Sequence, residues 1–214
     1  MKVAILQANL NNFDTPIDPV KQSVPSVFHR WTDENFPPIM GLTPRLQYRI
    51  PKTHGWQMKP GYDFYVWLDG GWTFSKENCL EWYLKELGEC DMAFFKHPNR
   101  NTINEEVEHI EDHLELGKPY ISARYVNGLH REQLNEIEDT GYKDRRLFAS
   151  TMFIYRNTPK VQQMLKDWWY EGTRYFTCDQ VVLPFLIYKH DIRVKTLSKH
   201  IYKNPYLTQA GNHK

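Results

Sequence analysis

Four stretches of the chain carry side chains suited to phosphate, metal or proton chemistry, and each adjoins a run patterned as secondary structure. Trp67-Leu68-Asp69-Gly70-Gly71 ends an apolar run in a carboxylate followed by glycines. Hard divalent cations take carboxylate oxygens and neutralise a diphosphate, and glycine lets backbone approach a ligand closely. Lys96-His97-Pro98-Asn99-Arg100 follows a second apolar run. There His97 can donate to a phosphate, and the Arg100 guanidinium can fork onto phosphate or carboxylate. Thr177-Cys178-Asp179-Gln180 opens a helical pattern; a carboxylate there is favoured by the helix dipole and held in place for base catalysis. His200, after the last strand-like run, would complete a metal site with Asp69.

Each stretch also has a purely structural reading. Asp69-Gly70 could be a turn, His97 to Arg100 a polar loop before a helix, Asp179 an N-cap and His200 a surface histidine. His109 and His113 stand four apart, a metal-ligand spacing, but no Glu follows His109 as the metalloprotease order requires. They lie off the Ile103, Val107, Ile110, Leu114 stripe and are expected to be solvated. The same expectation covers Arg124, Arg145 and Arg146.

The elements that must position these groups alternate. Val3 to Ala8 reads as a buried strand ending in a polar Asn9-Leu10-Asn11-Asn12 loop, and Ser26 to Trp31 as a second strand ending in Thr32-Asp33-Glu34. Residues 41 to 60, interrupted by proline and rich in Arg45, Arg49, Lys52 and Lys59, suggest a short helix or a pair of turns. Strands are expected over Tyr62 to Leu68, Met92 to Lys96, Leu147 to Tyr155 and Ile192 to Leu197. Helices are expected from Lys76 to Leu87 (capped by Ser75, closed by Gly88), from Thr102 to Gly117, over 119 to 138, from Pro159 to Tyr170 and from Asp179 to Tyr188. From Asn204 on the chain reads as a loose polar tail. The pattern implies one α/β domain over residues 1 to 214, a central, mostly parallel mixed sheet flanked by helices. Ligands of such sheets bind beyond the carboxyl ends of the strands.

Composition narrows the functions. Lys and Arg number 27 against 26 Asp and Glu, so the basic excess of a nucleic-acid binder is missing. The 3 cysteines form no C-x-x-C pair, which argues against a zinc knuckle or a disulfide framework and for a reducing compartment. The apolar run in MKVAILQANL is about half the length of a signal-peptide core, and no stretch nears the roughly 20 apolar residues of a membrane span. A cytoplasmic protein is expected, or a module of a longer multidomain one. Neither G-x-G-x-x-G nor G-x-x-x-x-G-K occurs, so a nucleotide would be held by other means.

Taken in order, Thr32-Asp33-Glu34, Arg45 with Lys52, Tyr65-Val66-Trp67-Leu68-Asp69-Gly70, Lys96-His97 with Arg100 and Glu105-Glu106, and Asp179-Gln180 resemble the GT-A glycosyltransferases. They look closest to a short family that includes plant mucilage-type and chlorella-virus capsid glycosyltransferase domains; for a viral source the compartment would be the host cytoplasm. The resemblance implies a hexosyltransferase-like enzyme that takes a nucleotide-sugar donor, UDP-sugar favoured, and a glycan or glycoprotein acceptor, with Mn2+ or Mg2+ as cofactor. By that resemblance Gln7, Ala8 and Asn9 line the base and ribose pocket, Asp33 accepts from the base, and Arg45 or Lys52 binds phosphate. Asp69 holds the metal, and Gly70, His97, Arg100 and Gln180 contact sugar or phosphate. Asp179 faces the sugar or acceptor, as the base of an inverting reaction or the stabiliser of a retaining one. The usual Asp-x-Asp is reduced here to Asp69, flanked at two residues' distance by Trp67 and Gly71, which implies either weak metal affinity or a second ligand such as His200. Two other readings stand beside this one. A non-catalytic glycan-binding module could use Trp168-Trp169-Tyr170 as its platform, and a nucleotidyltransferase would need a Gly-rich basic loop that Asn9 to Asn12 does not provide.

Overall fold

In the computed structural model, which describes residues 1–209, six strands form one sheet and a separate two-stranded ribbon lies beside it. The strands are β1 (Val3–Ala8), β2 (Ser26–Trp31), β3 (Phe64–Asp69), β4 (Trp72–Phe74), β5 (Met92–Lys96), β6 (Phe148–Arg156), β7 (Val194–Thr196) and β8 (Leu207–Gln209). The helices are α1 (Pro44–Met58), α2 (Cys79–Leu87), α3 (Ile103–Glu115), α4 (Pro119–Tyr125), α5 (His130–Asp139), α6 (Pro159–Arg174) and α7 (Asp179–Lys189). The main sheet runs β2-β1-β3-β6-β5-β7, and only β6 is antiparallel to its neighbours. The carboxyl ends of β1, β2, β3 and β5 therefore share one rim.

Residue alternation builds two cores. Ala4, Leu6, Tyr65, Trp67, Phe94, Phe153 and Tyr155 point to one face, where they meet Ile103, Val107, Leu134, Met164, Trp168 and Val182 from α3, α5, α6 and α7. Val3, Ile5, Val66, Leu68, Ala93, Phe95 and Ile154 point to the other and meet Leu80, Tyr83 and Leu87 of α2 with Phe74 and Leu207 of the ribbon. Covered on both faces, β1 is buried along its whole length, so its sequence shows no polar alternation.

The largest departure from the sequence reading is α1, a single 15-residue helix that carries Pro51 inside it. The Thr43 hydroxyl caps it by accepting from Leu46 N, and Pro44 sits in the first turn, where its missing N–H costs nothing. Packing against α6 and β1 outweighs the interior proline. Gly55 makes that approach possible, since a Cβ there would collide with the Leu6 side chain. Gly55→Ala is expected to destabilise the fold by ~1–3 kcal/mol through overpacking, measured as a shift of the urea midpoint.

Other boundaries differ for local reasons. Ser75 does not cap a helix; its hydroxyl donates to Pro205 O, and α2 begins after Asn78. Residues 119–138 form two helices, because the chain turns at Gly128, which packs directly on the His130 ring. Residues 207 to 209 are not a loose tail but strand β8, paired antiparallel with β4 and preceded by an Asn204 turn whose side chain accepts from Tyr206 N and Leu207 N. The rest of the expected tail lies outside the described residues.

His130 adds a pH dependence. Burial pushes its imidazole down to about 4, and Nε2 is buried with no hydrogen-bond partner among the described residues. Between the unfolded value near 6.5 and that value the unfolded chain binds the extra proton, so stability falls as pH drops through this window, by about 3 kcal/mol in all. His130→Gln should flatten the slope of melting temperature against pH across it.

Candidate active site

At the carboxyl rim of the strands lies a cleft of about 890 Å3. Its lining combines six cationic side chains (Arg45, Arg49, Lys52, Arg100, Lys118, Arg124) with four carboxylates (Asp14, Asp69, Glu106, Asp179), an excess that suits an anionic ligand.

The floor is built around Lys52. Two turns into α1, its ammonium is 2% exposed and lies 2.6 Å from Asp179 Oδ2 and 3.6 Å from Asp69 Oδ1. Rings of Tyr48, Trp67 and Trp168 surround it at 5.7–5.9 Å. Arg49 Nε holds the other Asp179 oxygen at 2.8 Å, while its remaining nitrogens donate to Gly172 O and Thr177 O. A carboxylate at the head of α7 is thus joined through one lysine to a carboxylate at the end of β3. Burial alone would raise the Asp179 carboxyl, but Arg49 and Lys52 hold it well below the usual carboxylate range. Asp179 is therefore ionised with both oxygens paired, and it is a poor proton acceptor. The expected base role at this residue does not fit the geometry.

Asp69 is 31% exposed. Its Oδ1 accepts from Trp67 Nε1 at 2.8 Å and from the Tyr48 hydroxyl, and no described residue donates to Oδ2. Burial raises this carboxyl, and Lys52, Tyr48 and Trp67 pull it back. Donors fixed on one oxygen orient the carboxylate and leave the other for a ligand. Gly70 is needed at this spot: a Cβ would stand 2.6 Å from Asp14 Oδ2 and 2.8 Å from Ala8 O. Asp14, absent from the sequence-based candidates, thus places a second carboxylate against the Asp69-Gly70 corner. Asn9 fixes it there, donating to Asp14 O at 2.8 Å and accepting from Asp14 N at 3.0 Å.

The donor set fits a hard divalent cation that keeps several waters and takes its other ligands from a diphosphate. Asp69 and Asp14 are the carboxylates that would hold one, since Asp14 Oδ2 stands against the Gly70 corner that follows Asp69. Among the described residues no group of three or more His, Cys, Asp or Glu could do so alone. His200 is exposed, accepts from Tyr202 N through Nδ1 at 3.2 Å, and does not line the cleft. The structure does not bring it to Asp69.

Other expected contacts divide. Ala8, Asn9, Arg45, His97, Arg100 and Gln180 line the cleft. Gln7 does not; at 0% exposure it ties three elements together, donating to Trp72 O at 2.7 Å and to Asp69 O at 3.2 Å and accepting from Arg30 Nε at 2.7 Å. Asp33 lies on the same rim but behind the wall, where its carboxylate accepts from Asn11 N at 2.9 Å. Arg45 stacks between Tyr125 and Phe176, donates to Arg124 O at 2.6 Å and to Thr177 O, and is lowered by burial to about 10. Arg45 and Lys52 thus hold the site together more than they offer themselves to phosphate.

The third wall comes from α3 and α4. Arg100 donates through Nε to the buried Glu106, whose other oxygen lies 3.7 Å from Cys178 Sγ. His97 Nδ1 accepts from Arg100 N at 3.0 Å, and burial lowers the pKa of the ring. His109, His113 and Arg124 also line the cleft, contrary to the expectation that they face bulk solvent. Arg124 stacks on Tyr120 and Phe13, and Lys118 has no ion pair among the described residues.

No protein-family model and no curated protein matches the chain. Among solved structures it is similar to mouse xyloside xylosyltransferase 1 in its apo form, at 9% identity and a TM-score of 0.46, over 92% of this chain and 85% of that one. It is also similar to A197 from STIV, at 10% identity and a TM-score of 0.39, over 100% and 96% of the two chains. A third likeness is to core-mannan synthase A from Aspergillus fumigatus in an Mn/GDP form, at 10% identity and a TM-score of 0.38, over 86% and 69%.

Proposed function

We propose that the chain is a glycosyltransferase that moves a sugar from a nucleoside-diphosphate donor, a UDP-sugar in the first instance, to a hydroxyl of a glycan or protein-linked acceptor. The observation that carries this reading is the Asp69–Lys52–Asp179 bridge at the floor of a cationic cleft, at the rim where open α/β sheets bind ligands. Breaking the anomeric bond to a diphosphate puts growing negative charge on the leaving group. Fixed cations aimed at that charge lower the barrier. Lys118 and Arg124 are the cleft cations best able to turn toward it, with Arg100 beside them and Arg45 and Lys52 acting through space. A divalent cation held by Asp69 and Asp14 would supply further neutralisation of the diphosphate. Asp69 is oriented by the hydrogen bonds that Trp67 and Tyr48 donate to it. Asp179, paired by Arg49 and Lys52, positions the ammonium and takes no proton. With no proton acceptor at Asp179, the arrangement suits a reaction in which the departing diphosphate takes the acceptor's proton.

A glycan-binding module without catalysis has less support. Trp168 is buried with its indole N–H donating to Asp179 O, and Trp169 packs edge-on against His54, so among the three only Tyr170 is well exposed. The deciding experiment is a nucleotide-sugar panel assayed for thermal stabilisation and donor hydrolysis, with and without manganese. Selective stabilisation by one nucleotide with slow hydrolysis of its sugar is expected; no response to any donor would end the enzymatic reading.

A further inference from the structure

A second concavity of about 580 Å3 lies outside the cleft, between the α5–β6 loop and the C-terminal half of α7. Its composition is unlike that of the chain as a whole, whose net charge is +1. Lys143, Arg145 and Arg146 line it within four residues of sequence, with Asp191 the one opposing carboxylate among the lining residues. All three cations are exposed, and none has an ion-pair partner among the described residues; Arg146 donates to the Thr196 hydroxyl. Tyr142 and Tyr188 meet at 5.2 Å, and Tyr188 is 67% exposed. Pro184 and Ile187 of α7 close the apolar side.

The loop that presents the cations is pinned. The Asp144 carboxylate accepts from Ile103 N at the start of α3 and from the Tyr142 hydroxyl at 3.4 Å. His97 N donates to Leu147 O at 2.9 Å. The basic loop is therefore fastened to the β5–α3 loop whose other side, His97 to Arg100, lines the cleft. The β5–α3 loop thus joins a wall of the cleft to the basic loop.

We propose that this pocket binds an anionic oligosaccharide, the acceptor chain of the reaction above: guanidinium and ammonium groups take its carboxylates or sulfates, and the tyrosine faces take its pyranose rings. The acceptor role rests on the glycosyl-transfer reading; the binding chemistry stands on the pocket. Cations beside exposed aromatic rings also suit single-stranded nucleic acid. A pocket of this size with only three cations, on a chain without a basic excess, favours the sugar.

The test is calorimetry with an oligogalacturonate, a sulfated oligosaccharide, a neutral oligosaccharide of equal length and a single-stranded DNA oligomer. Binding of one or both acidic sugars, weakened by salt, and none of the neutral chain is expected. Which acidic sugar binds separates carboxylate from sulfate recognition. The combined variant K143Q/R145Q/R146Q should weaken binding by at least about tenfold, the loss of one charge-assisted hydrogen bond. Tyr188→Ser, at a mostly exposed ring, should weaken it severalfold with little change in melting temperature. Unaltered binding by both variants, equal binding of the DNA, or no binding of either acidic sugar would overturn the proposal. Nucleoside-diphosphate binding measured on the same variants should be unchanged. Glycan binding without any nucleotide binding would remove the acceptor role and the transferase reading while leaving the site.

Discussion

Asp69→Asn should lower sugar transfer by roughly a hundred- to a thousandfold, the scale of losing one preorganised electrostatic contact to a developing charge. The substitution keeps the shape, and the amide oxygen can still accept from Trp67 Nε1 and the Tyr48 hydroxyl, so melting temperature should change little. What disappears is the negative charge on the oxygen that no described side chain engages. A divalent cation held as proposed would then lose one of its two carboxylates, and manganese should no longer tighten the binding of a nucleoside diphosphate. Asp14→Asn should weaken the manganese effect in the same direction, because its carboxylate abuts the same corner across Gly70. Calorimetry of diphosphate binding with and without manganese, on both variants, separates the metal contribution from the cationic wall. If wild type and Asp69→Asn bind diphosphate equally in the presence of metal and turn over donor equally, Asp69 has no part in the chemistry.

Asp69 and Asp179 were legible in the sequence because each sits at a boundary the sequence marks strongly. One closes a buried apolar run before paired glycines, and the other opens a second apolar run at a helix start. Their connection was not legible. It runs through Lys52, which lies on a helix that Pro51 hides from any propensity argument. Gln7 is a ligand contact only by the resemblance to the GT-A glycosyltransferases, which carries no information on which way its side chain points. In the fold that position faces inward, and its amide satisfies backbone carbonyls of the β3–β4 turn. Arg124, His109 and His113 looked solvated because the surface they face is created by α3 and α4 closing over the β1 loop. Asp14 left one faint signal: Asn9 and Asp14 are spaced to close a small side-chain-to-backbone ring, but that ring reads equally well as an ordinary loop. The strands were found and the ribbon was missed for one reason. Buried parallel strands announce themselves as apolar runs, whereas β4 and β8 are 3 residues each and have no strand partner but one another.

Lys52→Met should cost the fold about 3 kcal/mol and abolish most of the transfer activity, because it breaks a buried ion pair from one side. The methionine fills much of the volume, and the three surrounding rings accept a thioether readily. Packing is thus largely preserved, and the loss reports charge. Asp179 keeps Arg49 as a partner, while Asp69 loses its only nearby cation among its ion pairs. Both carboxyls should titrate higher in the variant. In the wild type the depressed Asp179 carboxyl contributes stability that is present above the unfolded carboxylate range and lost as pH falls toward the folded value. The variant should show a smaller acid-dependent loss below pH ~4 for that reason. Pairwise cycles discriminate further. Lys52 lies 2.6 Å from Asp179 and 3.6 Å from Asp69, so its coupling energy with Asp179→Asn should exceed that with Asp69→Asn. Coupling of equal size to both, or none to either, would mean that the ammonium does not bridge the two carboxylates in solution. In that case the strand-end and helix-start carboxylates would be independent groups, and the cleft would lose the feature that makes its floor a single charged unit.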